Sequence, residues 1–211
     1  EEYNTSRMSI ETYRQKIAEI FDRLEVVSKQ MGGGVKINEL CKYITLRTTD
    51  IDLNSYITTD NMLQNCEGIR PYEGAETISS GIAYQEGDIL LSNIRPYLKK
   101  IWQADRNGSC SPDVLVLRPD TEKVDKQFLY YSLRRDAFFD YIMNEAGTRG
   151  LKMPRGNKDG IIKYMITLPD RKEQEKVVSE IEYYDNLIEE TRKQMDLCYS
   201  RKLAIVDKYL K

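Results

Sequence analysis

The chain has 211 residues, 40% of them hydrophobic and 31% charged, with 32 Lys and Arg against 34 Asp and Glu and no His. That length supplies one real core plus helices, and a net charge of −2 excludes a molecule that holds nucleic acid by bulk positive charge. The absence of His removes the commonest general base near neutral pH and weighs against most hydrolytic mechanisms and against a zinc site.

At the N-terminal end, Ile10, Tyr13, Ile17, Ile20, Leu24, Val27 and Met31 recur in steps of three and four, the stripe of an amphipathic helix. Gly32, Gly33 and Gly34 then stop it, because three glycines lose too much backbone entropy to continue a helix. Residues 1–34 thus read as a helix and a glycine linker. The chain begins at Glu1 without an initiator Met, which suits a piece of something longer.

Residues 35–168 read as one globular mixed α/β domain. Ile89 to Ser92 follows the Gly87-Asp88 turn as a short strand, Val114 to Leu117 is a second, and Ile161 to Leu168 reads as a third. Between the last two, Asp125 to Asn144 spaces Phe128, Leu129, Tyr131, Leu133, Phe138, Phe139, Tyr141 and Ile142 as one or two helices. Residues 47–80 are polar and rich in turns, and there the pattern says least. Cys41, Cys66, Cys110 and Cys198 show no C-x-x-C spacing and read as reduced, partly buried thiols of a soluble, cytoplasmic protein. No apolar run reaches the roughly 18 residues that span a membrane. No phosphate loop, dinucleotide fingerprint or methyltransferase N/D-P-P-Y/F motif occurs, so no catalytic residue and no metal site is assigned.

Charge is balanced on average but clustered locally. Residues 149–163 hold Arg149, Lys152, Arg155, Lys158 and Lys163 against Asp159, with three glycines and Pro154 arguing for a loop. Residues 93–106 add Arg95, Lys99, Lys100 and Arg106 against Asp105, interleaved with Tyr97 and Trp102. Such groups can neutralise phosphates, and Arg can bridge O6 and N7 of guanine. The DNA-contact candidates are therefore Arg95, Tyr97, Lys99, Lys100, Arg149, Lys152, Arg155 and Lys158, with Asn93 or Asn157 available to adenine. A solvated surface loop is the plainer alternative for either cluster, and Arg95 and Tyr97 could equally hold the fold.

The C-terminal segment, 169–211, carries the longest signal. Val177, Ile181, Tyr184, Ile188, Thr191, Met195, Cys198, Lys202, Ile205 and Tyr209 follow one another at alternating fours and threes, the seam of a coiled coil. Pro169 suits the first turn, and Asp170, Glu173 and Glu175 crowd the positive end of the dipole. Some 40 helical residues reach roughly 60 Å, beyond the width of a compact domain this size. This helix pairs either with the first one, antiparallel, or with a second copy of the chain. Val177, Ile181, Tyr184, Ile188, Met195 and Ile205 are the expected pairing residues. The fold class expected is α+β: one globular domain with long coiled-coil-forming helices at both ends.

Five stretches in order, GDILLSNIRPYLKKIW, GSCSPDVLVLRP, QFLYYSLRRDAFFDYI, AGTRGLKM and ITLPDRKEQEKVVSEIE, resemble the specificity subunits of type I restriction-modification systems across residues 36–211. The resemblance implies a target recognition domain that reads one half of a split double-stranded DNA site. It also implies helices that hold two such domains apart and dock methyltransferase (modification) and restriction/translocase subunits. Family members usually carry two recognition domains, whereas this chain has one. It is expected to be half of a full subunit or a half-length subunit that forms a homodimer. The resemblance further implies a non-catalytic chain, with S-adenosylmethionine, ATP and Mg on the partners. A coiled-coil scaffold that binds protein without DNA specificity is the alternative.

Overall fold

The computed structural model describes residues 2–31, 34–150 and 152–209, and for residues 2, 27–31, 204, 205 and 207–209 the backbone alone. Val27, Met31, Ile205 and Tyr209 of the expected seams, and the Gly32-Gly33 stop, lie outside the described residues or side chains.

The two seams meet within the chain. Helix α1 (Glu2–Met31) and helix α6 (Arg171–Tyr209) run antiparallel, with Arg23 paired to Glu180 at 2.6 Å and the rings of Tyr13 and Tyr184 6.2 Å apart. Ile20, Phe21 and Leu24 of α1 and Val177, Ile181 and Ile188 of α6 are buried. Asp170 caps α6, its side chain accepting from the N–H of Glu173 at 2.9 Å. Pro169 therefore precedes the cap and does not occupy the first turn, because its carbonyl is used from outside by the Nε2 of Gln174 at 2.8 Å.

The globular part begins with β1 (Val35–Lys36), α2 (Ile37–Leu40), β2 (Cys41–Ile44), β3 (Arg47–Thr48) and β4 (Tyr56–Ile57). It continues through β5 (Gly81–Tyr84), β6 (Ile89–Ser92), β7 (Ile101–Gln103), β8 (Gly108–Cys110) and β9 (Val114–Pro119). An antiparallel sheet of order β2-β9-β6-β7 stacks on a mixed sheet of order β3-β5-β8-β4, in which only β4 and β8 are parallel. Helices α3 (Lys126–Leu133) and α4 (Asp136–Asn144) cover the other face of the first sheet.

This sandwiching explains the unbroken apolar runs of β6 and β9. Ile89, Leu91, Leu115 and Leu117 point to the helices, while Leu90, Val114 and Val116 join Trp102, Tyr84 and Cys110 between the sheets. Strands buried on both faces lose the polar alternation of a surface strand. At the end of β9, Arg118 grips buried Asp88 with two bonds of 2.8 Å, closing the turn before β6.

After α4 come the hairpin β10 (Thr148–Arg149) and β11 (Arg155–Gly156), then α5 (Lys158–Ile161) and β12 (Met165–Ile166), which pairs with β1. The apolar run from Ile161 to Leu168 is thus a helix end, a turn and a two-residue strand, not one strand. Gly160 packs so closely on the Ala146 backbone that a Cβ would lie 2.8 Å from its carbonyl, and the turn that follows sends Tyr164 onto Phe138 and Tyr141.

Several polar contacts lock the domain to the helix pair. Arg134, after α3, reaches Asp185 of α6 with both guanidinium arms while lying over Tyr130 and Tyr131. Arg135 pairs with Glu25 of α1 at 2.5 Å and sits over Phe21. Gln174, buried on α6, accepts from the N–H of Asp125, the residue that caps α3.

Candidate nucleic-acid interface

The two basic segments, distant in sequence, are joined at one end of the first sheet. The β6–β7 connection, residues 93–100, forms a loop with one 3-10 turn at Pro96–Leu98, and the β10–β11 hairpin lies along it. The Arg95 N–H donates to the Pro154 carbonyl at 2.8 Å, the Gly156 N–H donates to the Asn93 carbonyl at 3.2 Å, and Ile94 bridges Arg155. Gly156 is required by this approach, since a Cβ there would meet Ile161 at 2.8 Å and the Asn93 side-chain oxygen at 3.1 Å.

Arg95 and Lys99, at the two ends of the 3-10 turn, both take φ of 51°. Asn65 and Cys66 take φ of 56° and 59°, and no other described non-glycine residue has a positive φ. The two segments meet at the far end of the turn: the Asn65 N–H donates to the Leu98 carbonyl at 3.0 Å and the Cys66 N–H to the Lys99 carbonyl at 2.8 Å. Left-handed backbone costs a non-glycine residue of order 1–3 kcal/mol and persists where surroundings over-determine it, typically at working sites. The result is a stiff loop that leaves Tyr97 49% exposed beside exposed Arg95.

The predicted contact residues divide by what their side chains already hold. Arg95, Arg149, Lys152 and Lys158 are exposed and make no ion pair among the described residues. Arg155 pairs with Asp113 at 3.0 Å and Lys99 with Asp136 at 2.7 Å. Lys100 is bound to the carbonyl of Thr59 at 2.6 Å. Burial lowers its pKa below the usual lysine range, Asp60 opposes the shift, and Arg70 and Arg95 add to it. Lys100 is a brace for the loop. Lys158 stands apart from the loop on α5, where its carbonyl accepts from Tyr43 of β2 at 3.0 Å. Asn93 is only 7% exposed and is closed off from a base edge, while Asn157 precedes α5.

Arg70, exposed and close enough to influence Lys100, extends the cluster from the 58–80 segment. Sequence reasoning missed it because a single Arg among Glu67, Glu73 and Glu76 forms no run. Of the expected helix-pairing residues, Val177, Ile181 and Ile188 are buried, Tyr184 and Met195 are half-buried, and Ile205 lies outside the described side chains. Among the described residues no cluster of acidic or Cys side chains could hold a metal ion, and no helix is long and apolar enough to cross a membrane.

The family model of the type I restriction modification DNA specificity domain matches residues 33–195. The chain belongs to that family. The specificity domain is 29% identical over 118 residues to the EcoDI type I restriction enzyme specificity subunit of Escherichia coli, covering 56% of this chain and 26% of that one. It is 24% identical over 187 residues to the MjaVIII specificity subunit of Methanocaldococcus jannaschii, covering 82% and 40% respectively. The chain therefore spans well under half the length of these curated relatives. The type I restriction-modification S subunit from M. genitalium shares the fold at a TM-score of 0.56 and 14% identity, over 99% of this chain and 55% of that one.

Proposed function

We propose that this specificity domain reads one half of a bipartite double-stranded DNA target through the 93–100 loop and the β10–β11 hairpin. Residues 35–168 form the recognition domain in this reading. The helices of 1–34 and 169–211 act as a ruler that sets the gap between half-sites and as the docking platform for methyltransferase and restriction subunits. The domain carries no chemistry of its own, and S-adenosylmethionine, ATP and Mg belong to those partners. The observation that carries the reading is the convergence of both basic segments on one left-handed, multiply braced loop that presents Arg95 and Tyr97.

A second recognition half is needed for a bipartite site. On α6, Tyr199, Leu203 and Val206, spaced by four and three, are exposed and offer a stripe for the helices of that half or of a second copy.

Binding to a random-sequence duplex pool, followed by anisotropy across a salt series, tests the interface. Affinity should fall steeply with salt, and Arg149→Ala or Lys152→Ala should each reduce the log–log slope by about 1. Binding that ignores salt, or none at low salt, would leave the protein-binding scaffold as the better account.

A further inference from the structure

We infer that Glu67 is a positioning residue that ties the DNA-reading loop to the helix pair. The inference rests on the interface reading above and adds how that interface is coupled to the ruler. One oxygen of Glu67 accepts from Arg14 of α1 at 3.2 Å and from Arg192 of α6 at 2.7 Å, so a single carboxylate of the globular domain bridges both helices. Glu67 sits at the tip of a closed turn. The Met62–Ile69 bridge and the bonds from Leu63 N–H to the Gly68 carbonyl and from Glu67 N–H to the Gln64 carbonyl define it.

The residues immediately before Glu67 hold the loop. Asn65 and Cys66 donate their N–H groups to Leu98 and Lys99, and three residues after Glu67 the same turn delivers Arg70 to the basic cluster. Buried Met62 roots the turn in the core between the sheets. Of the other anchors, Gln174 fixes α3 to α6 away from the loop, whereas Arg134, held to Asp185 of α6, also meets this turn, its carbonyl accepting from the Cys66 thiol at 3.7 Å. The turn thus carries the path from loop to helix pair, and Glu67 is its contact with both helices at once, with Cys66–Arg134 and Lys99–Asp136, next to the Arg135–Glu25 pair, as further tethers.

The path makes coupling reciprocal. A duplex that orders residues 95–99 must tighten the helices at Arg14 and Arg192, and a partner that grips the helices must stiffen the loop. Left-handed backbone at Asn65, Cys66 and Lys99 gives the joint the restricted geometry that passes a displacement instead of absorbing it.

Amide hydrogen exchange on the whole chain, wild type and Glu67→Gln, with and without a random-sequence duplex pool at low salt, is the test. Glu67→Gln keeps the shape and removes one negative charge, so simple electrostatics would strengthen DNA binding. The amides of Asn65, Cys66, Leu98 and Lys99 should exchange roughly threefold to fivefold faster in the variant, as expected for a lost surface ion-pair network, with β6 and β9 unchanged. Duplex should slow exchange around Arg14 and Arg192 in the wild type and not in the variant. Arg192→Lys, which keeps a cation, should behave as wild type. Unchanged loop exchange in the variant, equal helix protection in both proteins, or a uniform rise that includes β6 and β9 would each overturn the role. If the wild type binds no duplex, the interface reading fails, and the loop exchange of the free proteins still judges Glu67.

Discussion

Arg95 presents an exposed guanidinium from a left-handed backbone, and Tyr97 stands beside it on the same turn. At this scale the account predicts that Arg95→Ala and Tyr97→Ala each weaken binding to a selected target by about 1–3 kcal/mol, roughly fivefold to over a hundredfold in Kd, with the fold intact by circular dichroism. Lys100→Met should behave differently, because Lys100 is already bonded to Thr59. Its folded pKa is depressed, so the unfolded chain holds its proton to higher pH than the fold does. The charged Lys100 therefore costs stability at neutral pH, and the cost is relieved as pH rises from the folded value toward 10.5. Urea titrations should show wild type gaining on Lys100→Met across that alkaline window. The thiols behave as inert core groups: burial pushes Cys41 and Cys110 up to about 12 and Cys66 up to about 11. A thiol reagent at neutral pH should label half-buried Cys198 before any of them.

Among the elements, β6 and β9 were legible because burial on both faces leaves continuous apolar runs, and α3 and α4 because Phe128, Leu133, Phe138 and Ile142 keep helical spacing toward one core. Residues 47–80 were illegible for the converse reason. Strands β3 and β4 are two residues each, and their partners β5 and β8 are supplied by distant chain, so no local period exists to be read. The Ile161–Leu168 run misled because apolar content without alternation does not separate a short helix and turn from a strand. The basic segments were visible as charge, but their meeting, the brace at Lys100 and the contribution of Arg70 depend on hydrogen bonds that no spacing encodes. Gly160→Ala tests the close approach that shapes this region. Its Cβ would press on the Ala146 backbone at 2.8–2.9 Å, and a loss of about 1–3 kcal/mol is expected in thermal or urea unfolding.

As a whole, the molecule is a globular α/β domain fixed on an antiparallel helix pair, and the heptad that announced α6 already identified most of that pairing. What the heptad could not choose was the partner, since α1 and a second copy satisfy the same seam equally well. The structure gives α1 that place at Val177, Ile181 and Ile188, while Tyr199, Leu203 and Val206 are exposed. Ile181→Ala, at a fully buried contact shared by α6 and the core, should lower stability by about 2–5 kcal/mol. Leu203→Asp should leave stability within about 0.5 kcal/mol and weaken assembly instead, read by sedimentation. The central claim, that this domain supplies DNA specificity to a methyltransferase, is tested most directly by mapping methylated sites after co-expression with the methyltransferase subunit. The account predicts a bipartite methylated motif, one half of which changes when Arg95 and Tyr97 are replaced. Methylation that shows no split motif, or that is the same with and without this chain, would contradict it.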